Sequence, residues 1–543
     1  TSRRQRQMCI RDRSYLESNP ILKQNNKTDE LEIRFGTNPK LSKPLSKIDY
    51  TNVVKFLYSC GFKTQNEEGL QILRIQNQFT DKKTGRTKMS NIRAEIVGSD
   101  LIQEYCKTNS IQKVLDIPST TFQKLKFTQK IPAKDKNDER IEKVDMDDFN
   151  FRVSYQVEQD FHVHTSIART IISSWEDSLK TFRCLNRVRF YHERYPVFVD
   201  LSILKTSKKS NRIYVPTYTI QEAEVFQNVE TYEIELEVDN SRVGLSSQYE
   251  KPEQLMNVIK KCIRIILSGL QKTRFPVSYL ESNNVLQEYL TLIHGDDHNI
   301  KRILSKHFLG PSSLTLQLEN ISTETENSIV SNIRNNYTVT DKADGDRYLL
   351  FIDKIGKIYL IDTNMNVLFT GTFTKEKSIY NSLIDGEFIT TNKNGKPIQL
   401  YAAFDVYYVN NKNFMNFPFD LVLDEEDENK NDNFYRLSIL NQVIEVIKPR
   451  SILDFEKKTE VDPKQKTPTD FRIKIKTFHN SSNVSIFTGC SKILSDVDDD
   501  VYEYETDGLI FTPSNLSVGA SSEGEKVDIK YKTTWSHSMK WKP

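Results

Sequence analysis

Two stretches, Glu30-Leu31-Glu32-Ile33-Arg34-Phe35 and Tyr232-Glu233-Ile234-Glu235-Leu236-Glu237-Val238, decide the fold of the first half of the chain. An extended strand turns successive side chains to opposite faces. Glu30, Glu32 and Arg34 therefore share one face, and Leu31, Ile33 and Phe35 take the other. In the second stretch Glu233, Glu235 and Glu237 line one face against four apolar residues. Basic segments follow the same rule. Lys124, Lys126, Thr128 and Lys130 alternate with Leu125 and Phe127, and Arg187 and Arg189 with Val188 and Phe190. Arg93 and Glu95 share a parity, as do Arg152, Ser154 and Glu158, and Asp200 and Ser202. A sheet with one solvated face accounts for any single strand of this kind. It does not account for glutamates on consecutive same-face positions, which repel one another across about 7 Å. Carboxylates clustered in this way suit a divalent cation, and neighbouring cationic strands suit a polyanion. Closing about eight such strands predicts an antiparallel tunnel, charged inside and apolar outside against helices. That lumen fits hydrolysis of a triphosphate.

Composition sets the frame. At 543 residues the chain is long enough for several cores without disulfide or metal staples. Hydrophobic residues make up 37% and charged residues 28%, which excludes collagen-like, mucin-like and mostly disordered chains. The 76 basic residues are balanced by 74 acidic ones, which excludes a polybasic nucleic-acid binder but not separate acidic and basic sites. Cys9, Cys60, Cys106, Cys184, Cys262 and Cys490 form no CxxC pair and read as reduced thiols of a cytoplasmic protein. No apolar run reaches the length of a membrane span, and no secretory signal is visible. Residues 1–13 are Arg-rich without periodicity and read as adapter-derived sequence or a basic arm outside the fold. Leu255, Val258, Ile259, Cys262, Ile263, Ile266 and Leu270 recur at helical spacing, with Gly269 near the expected helix end. Asp424–Glu428 and Phe455–Thr469 read as surface insertions.

The glutamate strands resemble the first and last metal-binding strands of the triphosphate tunnel metalloenzymes, above all the RNA triphosphatases of fungal and large-DNA-virus capping systems. The resemblance covers about residues 29–240. It implies metal ligation by Glu30, Glu32, Glu233, Glu235 and Glu237. It implies catalytic phosphate contacts by Arg187 and Arg189, further ones by Arg93 and Lys130, and supporting roles for Arg152, Glu158, Asp200 and Ser202. Val197-Phe198-Val199-Asp200-Leu201-Ser202 departs from the family pattern, with Phe198 where relatives place an arginine. Either one phosphate contact is missing or Arg194 supplies it.

The second half carries Lys342-Ala343-Asp344-Gly345-Asp346-Arg347 between apolar segments. A lysine at a strand end before a Gly turn can point its amine into a cleft, where it attacks phosphorus once neighbouring cations loosen its proton. Asp385-Gly386-Glu387-Phe388, Phe404-Asp405-Val406-Tyr407, Thr506-Asp507-Gly508-Leu509-Ile510-Phe511 and Lys540-Trp541-Lys542 follow in order. Together the five resemble the covalent nucleotidyltransferases, the mRNA guanylyltransferases and polynucleotide ligases. Gly310-Pro311-Ser312-Ser313-Leu314 resembles the start of the guanylyltransferase core. The resemblance implies a phosphoramidate on Lys342, ribose contacts from Arg347 and Glu387, and a base stack on Phe404. It implies metal placement by Asp507 and neutralisation of the α-phosphate by Lys540 and Lys542.

A tunnel followed by a nucleotidyltransferase resembles the multifunctional mRNA-capping enzymes of large cytoplasmic DNA viruses. The expected fold class is α+β: an eight-stranded antiparallel tunnel, then a ligase/capping-type domain of antiparallel sheets with helices, unrelated to ATP-grasp. The expected boundaries are 14–245 for the triphosphatase tunnel, 246–305 for a helical connector and 306–543 for the guanylyltransferase domain. The expected OB-fold and methyltransferase segments are missing, so the chain is expected to be a fragment. The implied activity hydrolyses the RNA 5′-triphosphate to a diphosphate with Mg²⁺ or Mn²⁺, then transfers GMP from GTP through lysyl-GMP. The implied partners are triphosphate-ended RNA, GTP, and a downstream OB-fold and cap methyltransferase, with no membrane; the expected place is the cytoplasm, a viral factory or a virion. Three alternatives stay open at this point: an ATP-dependent polynucleotide ligase, a tunnel enzyme for inorganic or small triphosphates, and a non-catalytic RNA-end scaffold.

Overall fold

The computed structural model describes residues 29–36, 44–80, 85–118, 124–134, 137–211, 213–244, 247–323, 330–420, 435–455, 467–482 and 485–543. Thr1–Arg13 and Asp424–Glu428 lie outside the described residues, as does much of the second expected insertion. The chain divides into two compact units, Thr1–Lys272 and Thr273–Pro543. The boundary falls inside the segment expected as a connector. Its first helix packs in the core of the first unit and its second in that of the second unit.

The first unit is built on eight long strands: β1 (Asp29–Phe35), β2 (Leu70–Thr80), β3 (Thr87–Val97), β4 (Lys124–Pro132), β5 (Phe151–Phe161), β6 (Lys180–Tyr191), β7 (Val197–Thr206) and β8 (Thr231–Val238). They pair antiparallel in the order β1-β8-β7-β6-β2-β3-β4-β5, and β5 pairs again with β1, so the sheet closes on itself. The alternation explains the closure. Leu31, Ile33, Phe35, Ile234, Leu236 and Val238 face outward and are buried beneath α1 (Lys47–Ser59) and the helix Pro252–Gln271. On another part of the barrel, Leu73, Ile75, Ala94, Ile96, Phe127 and Phe182 pack with α2 (Ser99–Thr108) and with Ala168 of α3 (Ser166–Ser173). Burial of such side chains, about 1.5–3 kcal/mol each, is what makes an inside-out barrel stable.

The periodic helix is α4 (Pro252–Gln271), and Gly269 lies in its last turn, near the end as expected. The left-handed residue that closes α4 is Lys272. A Cβ at Gly269 would stand 2.8 Å from the Cα of Val53, so the glycine is there to let α4 approach α1 closely.

The second unit contains α5 (Tyr279–His294), β9 (Ser312–Thr315), β10 (Tyr337–Ala343), β11 (Asp346–Ile352), β12 (Lys357–Asp362), β13 (Val367–Phe373), β14 (Ser382–Thr391), β15 (Pro397–Val409), α6 (Arg436–Ile447), β16 (Phe471–Ile475), α7 (Ile486–Asp498), β17 (Thr506–Pro513) and β18 (Thr534–Trp541). One sheet runs β9-β18-β17-β10 and ends on the short strand His479–Asn480. The other centres on β15-β14-β11-β12-β13, with β16 parallel to β15. The chain leaves the first sheet at Ala343 and enters the second at Asp346, so the Lys342–Arg347 motif is the turn between them. The fold is thus α+β, as expected, and the tunnel is the part that the alternation indicated.

Candidate active sites

In the tunnel, β1 and β8 are neighbours: Glu32 sits opposite Glu237 and Arg34 opposite Glu235. All five glutamates named from the sequence lie on these two strands with lumen parity. Each is turned onto a cation. Glu30 pairs with Lys130; Glu32 lies 3.1 Å from Arg34; Glu233 takes Arg183 at 2.8 Å; Glu235 takes Arg34 and, at 2.8 Å, Arg187; Glu237 takes Arg189 at 2.8 Å. Asp200 on β7 holds both Arg189 nitrogens at 2.7 Å and Arg187 at 3.0 Å, and Ser202 accepts from Arg187 at 3.2 Å. Glu158 sits 3.2 Å from Lys130 and 3.6 Å from Arg93. Arg152, the cross-strand partner of Arg34, is itself bound to Asp145, with Nε at 2.6 Å. Arg194 is exposed in the turn between β6 and β7, and Phe198 lies under the Arg189 guanidinium, 4.6 Å away.

Burial and crowding perturb these groups. Burial, then Glu235, push Glu32 up to about 7 against Arg34 and Lys130. Burial, with Glu30 and Asp200, pushes Glu237 up to about 7 despite Arg189. Burial acts on Glu235 too, but Arg187, Arg34 and Arg74 hold it well below the usual carboxylate range. Among the described residues no three acidic, histidine or cysteine side chains stand close enough to cage a metal as they are. The donor set nevertheless fits a hard divalent ion, since it is all carboxylate oxygen. Two of its members are crowded beyond what their cations neutralise, which is the state a further positive charge relieves.

The sequence reading missed Arg74 and Arg183. Both share the inward parity; Arg74 stands opposite Arg183 and Glu95. The alternation hid them because Ile72, Val97, Leu185 and Leu204, also inward, form a buried apolar stripe along β2, β3, β6 and β7.

In the second unit, β10 and β17 pair and bring Lys342 onto the Asp507 carboxylate. Lys542 reaches the other oxygen of Asp507 at 2.5 Å. Burial works to raise Asp507, but hydrogen bonds from Lys342 and Lys542 lower it. Arg347 and Glu387 are cross-strand partners on β11 and β14. The Arg347 fork is held by Asp385, with Nε at 3.0 Å and Nη2 at 2.5 Å, and donates to the Pro311 carbonyl at 2.8 Å. A Cβ at Gly310 would stand 2.6 Å from Arg347 Nη2, so the glycine, at φ +123°, is required by this approach. Phe404 is half-buried, its ring 5.8 Å from the Arg347 guanidinium. Burial raises Glu387 against Lys476, 3.7 Å away, and Lys342. Lys540 is half-buried on β18 opposite Ile510; among the described residues it forms no ion pair with this group. Two buried cations were not anticipated. Lys476 pairs with Asp341, beside Lys342 in the chain, at 3.3 Å. Arg436 grips Asp405, beside Phe404, at 2.8 Å.

Lys342 at the end of β10, its partner Asp507, Lys542 just after β18 and the Phe404 ring are thus the groups gathered in this two-sheet unit. Residues 298–533 match the family described as mRNA capping enzyme, catalytic domain. The chain is similar to a probable mRNA-capping enzyme of Acanthamoeba polyphaga mimivirus, with 27% identity over 346 residues, covering 58% of this chain and 25% of the relative. It is also similar to an mRNA-capping enzyme of Danio rerio, with 30% identity over 216 residues, covering 39% of this chain and 29% of the relative. The chain thus spans about a quarter of the length of each. Among solved structures it is similar to the mimivirus capping enzyme triphosphatase, with TM-score 0.30 and 13% identity over 47% of this chain and 96% of that one.

Proposed function

We propose that the chain performs two consecutive steps of mRNA 5′-capping. In the first unit, water attacks the γ-phosphorus of a 5′-triphosphate RNA end, and the diphosphate end leaves. Glu30, Glu32, Glu233, Glu235 and Glu237 would hold Mg²⁺ or Mn²⁺. Such an ion polarises the phosphoryl group and neutralises charge developing on it. The chain's own cations do the rest of the neutralising: Arg93, Lys130, Arg187 and Arg189 face the phosphates, and Asp200, Ser202 and Glu158 keep them aimed. Arg152 fits the tunnel rim, where Asp145 holds it.

In the second unit, Lys342 Nζ attacks the α-phosphorus of GTP. A P–N bond forms, the bond to the β-phosphate oxygen breaks, and pyrophosphate leaves. The terminal phosphate of the diphosphate RNA then displaces Lys342 from GMP. The Lys342–Asp507 pair must open and Lys342 give up a proton before attack, while Lys542 stays on the other oxygen of Asp507. Phe404 stacks on the base, Arg347 and Glu387 hold the ribose, and Lys540 and Lys542 meet the α-phosphate. RNA binding through phosphates needs little base readout.

The observation that carries this reading is the co-occurrence, in one chain, of the two-signed tunnel with a lysine site inside the capping-enzyme match. The same match favours guanylyl over adenylyl transfer. Among the described residues no helix is long and apolar enough to cross a membrane. The test is incubation with α-labelled GTP or ATP, and separately with triphosphate-ended RNA or tripolyphosphate. The reading expects an acid-labile adduct from GTP alone and phosphate release preferring RNA. An adduct from ATP alone would instead make the chain a ligase.

A further inference from the structure

The lumen has two walls of opposite sign. The glutamates stand on β1 and β8; across the barrel, β2 and β3 bring two arginines together on one carboxylate. Glu95 Oε1 accepts from Nε of Arg74 at 2.7 Å and from Nε of Arg93 at 2.8 Å. Glu95 is 4% exposed, and Lys126 stands 3.6 Å from its other oxygen. Both guanidiniums are held at Nε, which leaves terminal nitrogens for a further partner; Arg93 Nη2 also stands 3.6 Å from Glu158. Among the described residues Arg74 has no ion pair besides Glu95, and Arg93 Nη2 is buried without a hydrogen-bond partner. Two largely buried forks held at Nε by one carboxylate, with terminal donors still open, suit an anion with several oxygens. The crowding is visible in the charges themselves. Burial, with Arg187 and Arg93 close by, lowers Arg74 to about 10 in spite of Glu95, and the surrounding cations hold Glu95 down to about 2 against its burial.

We propose that Arg74 is a direct contact to the terminal phosphoryl group of the substrate, and that Glu95 is the positioning residue that sets its fork beside that of Arg93. The proposal rests on the triphosphatase reading but is tested apart from it. The full chain, stripped of metal by a chelator, is titrated with inorganic tripolyphosphate by calorimetry. Arg74→Met should weaken binding by about tenfold to a hundredfold, the loss of one charge-assisted contact. Arg74→Lys keeps the charge without the fork and should fall between parent and Arg74→Met; it also serves if Arg74→Met does not fold. Glu95→Gln keeps the acceptor for both Nε groups and should bind within about threefold of the parent, whereas Glu95→Leu should resemble Arg74→Met. A structural role alone would lower the melting temperature and leave tripolyphosphate affinity and orthophosphate inhibition unmoved. If the parent binds tripolyphosphate and Arg74→Met and Arg74→Lys bind it equally well, Arg74 is no phosphate contact, and the triphosphatase reading stands. If the parent binds none, the subsite is overturned. If binding depends on Arg74 yet no phosphate is released from triphosphate RNA with Mg²⁺, the subsite stands and the triphosphatase reading falls.

Discussion

Replacing Arg436 by Met removes a fully buried charge from the second unit. Arg436 is 0% exposed. Its Nε and Nη2 bind the two oxygens of Asp405 at 2.8 and 3.1 Å, and its Nη1 donates to the carbonyls of Phe417 and, at 3.1 Å, Leu516. Methionine fills much of the volume but leaves a buried carboxylate and two buried carbonyls without these donors. Breaking one side of a buried pair costs about 3–5 kcal/mol. For a unit of this size that is a fall in melting temperature of about 6–20 °C. Asp405→Asn should also be costly, since it leaves the buried Arg436 guanidinium without its counter-charge. The double variant should be more stable than the sum of the two losses predicts, by about 2 kcal/mol or more, because the stranded charge is then gone. The assay is urea unfolding of parent, both single variants and the double, followed by near-UV circular dichroism. GTP affinity should fall as well, because Asp405 adjoins Phe404. A single Arg436→Met variant within about 1 kcal/mol of the parent would refute the argument, as would strict additivity in the double.

Phe404→Ala should weaken GTP binding by roughly 1–3 kcal/mol, the range for a base–aromatic stack, in equilibrium titration; unchanged affinity would place the base elsewhere. Glu32→Ala and Glu235→Ala should each lower phosphate release from triphosphate RNA by more than about tenfold, measured with γ-labelled substrate; full activity in both would disprove the glutamate assignment. Asp353 gives a pH test: burial raises its carboxyl to about 6, although Oδ1 accepts from the Ile355 and Lys357 amides at 3.0 and 2.8 Å. A raised carboxyl stabilises the fold below its unfolded value and loses that contribution as pH rises through about 6. Asp353→Asn, which keeps the acceptor, should therefore match the parent near pH 4 and exceed it near pH 7 by about 1–3 kcal/mol; chemical unfolding at the two pH values checks it, and an equal difference at both would count against it.

What could be read from sequence followed the strength of local alternation. β1 and β8 alternate charge and hydrocarbon without a break, so face, partner chemistry and barrel closure all followed from them. Arg74 and Arg183 were lost because Ile72 and Leu185 occupy the same inward face, which makes those strands read as mixed. Gly269 was legible as lying near a helix end, and it does; that α4 needs it to pass over Val53 is a tertiary fact. Arg436 carried a signal that went unread. Arg436, Ile439, Leu440, Val443 and Ile447 fall on one buried helix face, so the arginine had to enter the core and find an acid there. Lys476 had none, because its partners Asp341 and Glu387 come from strands remote in sequence.

The most direct test of the central claim is transfer of label from α-labelled GTP to RNA ends, followed by nuclease digestion and detection of the GpppN dinucleotide. The parent chain with Mg²⁺ or Mn²⁺ should label both triphosphate- and diphosphate-ended RNA. The Glu32→Ala/Glu235→Ala chain should label only diphosphate-ended RNA, and Lys342→Ala should label neither. Labelling of triphosphate RNA that survives loss of the glutamates, or labelling by Lys342→Ala, would contradict the assignment of two consecutive chemistries to the two units.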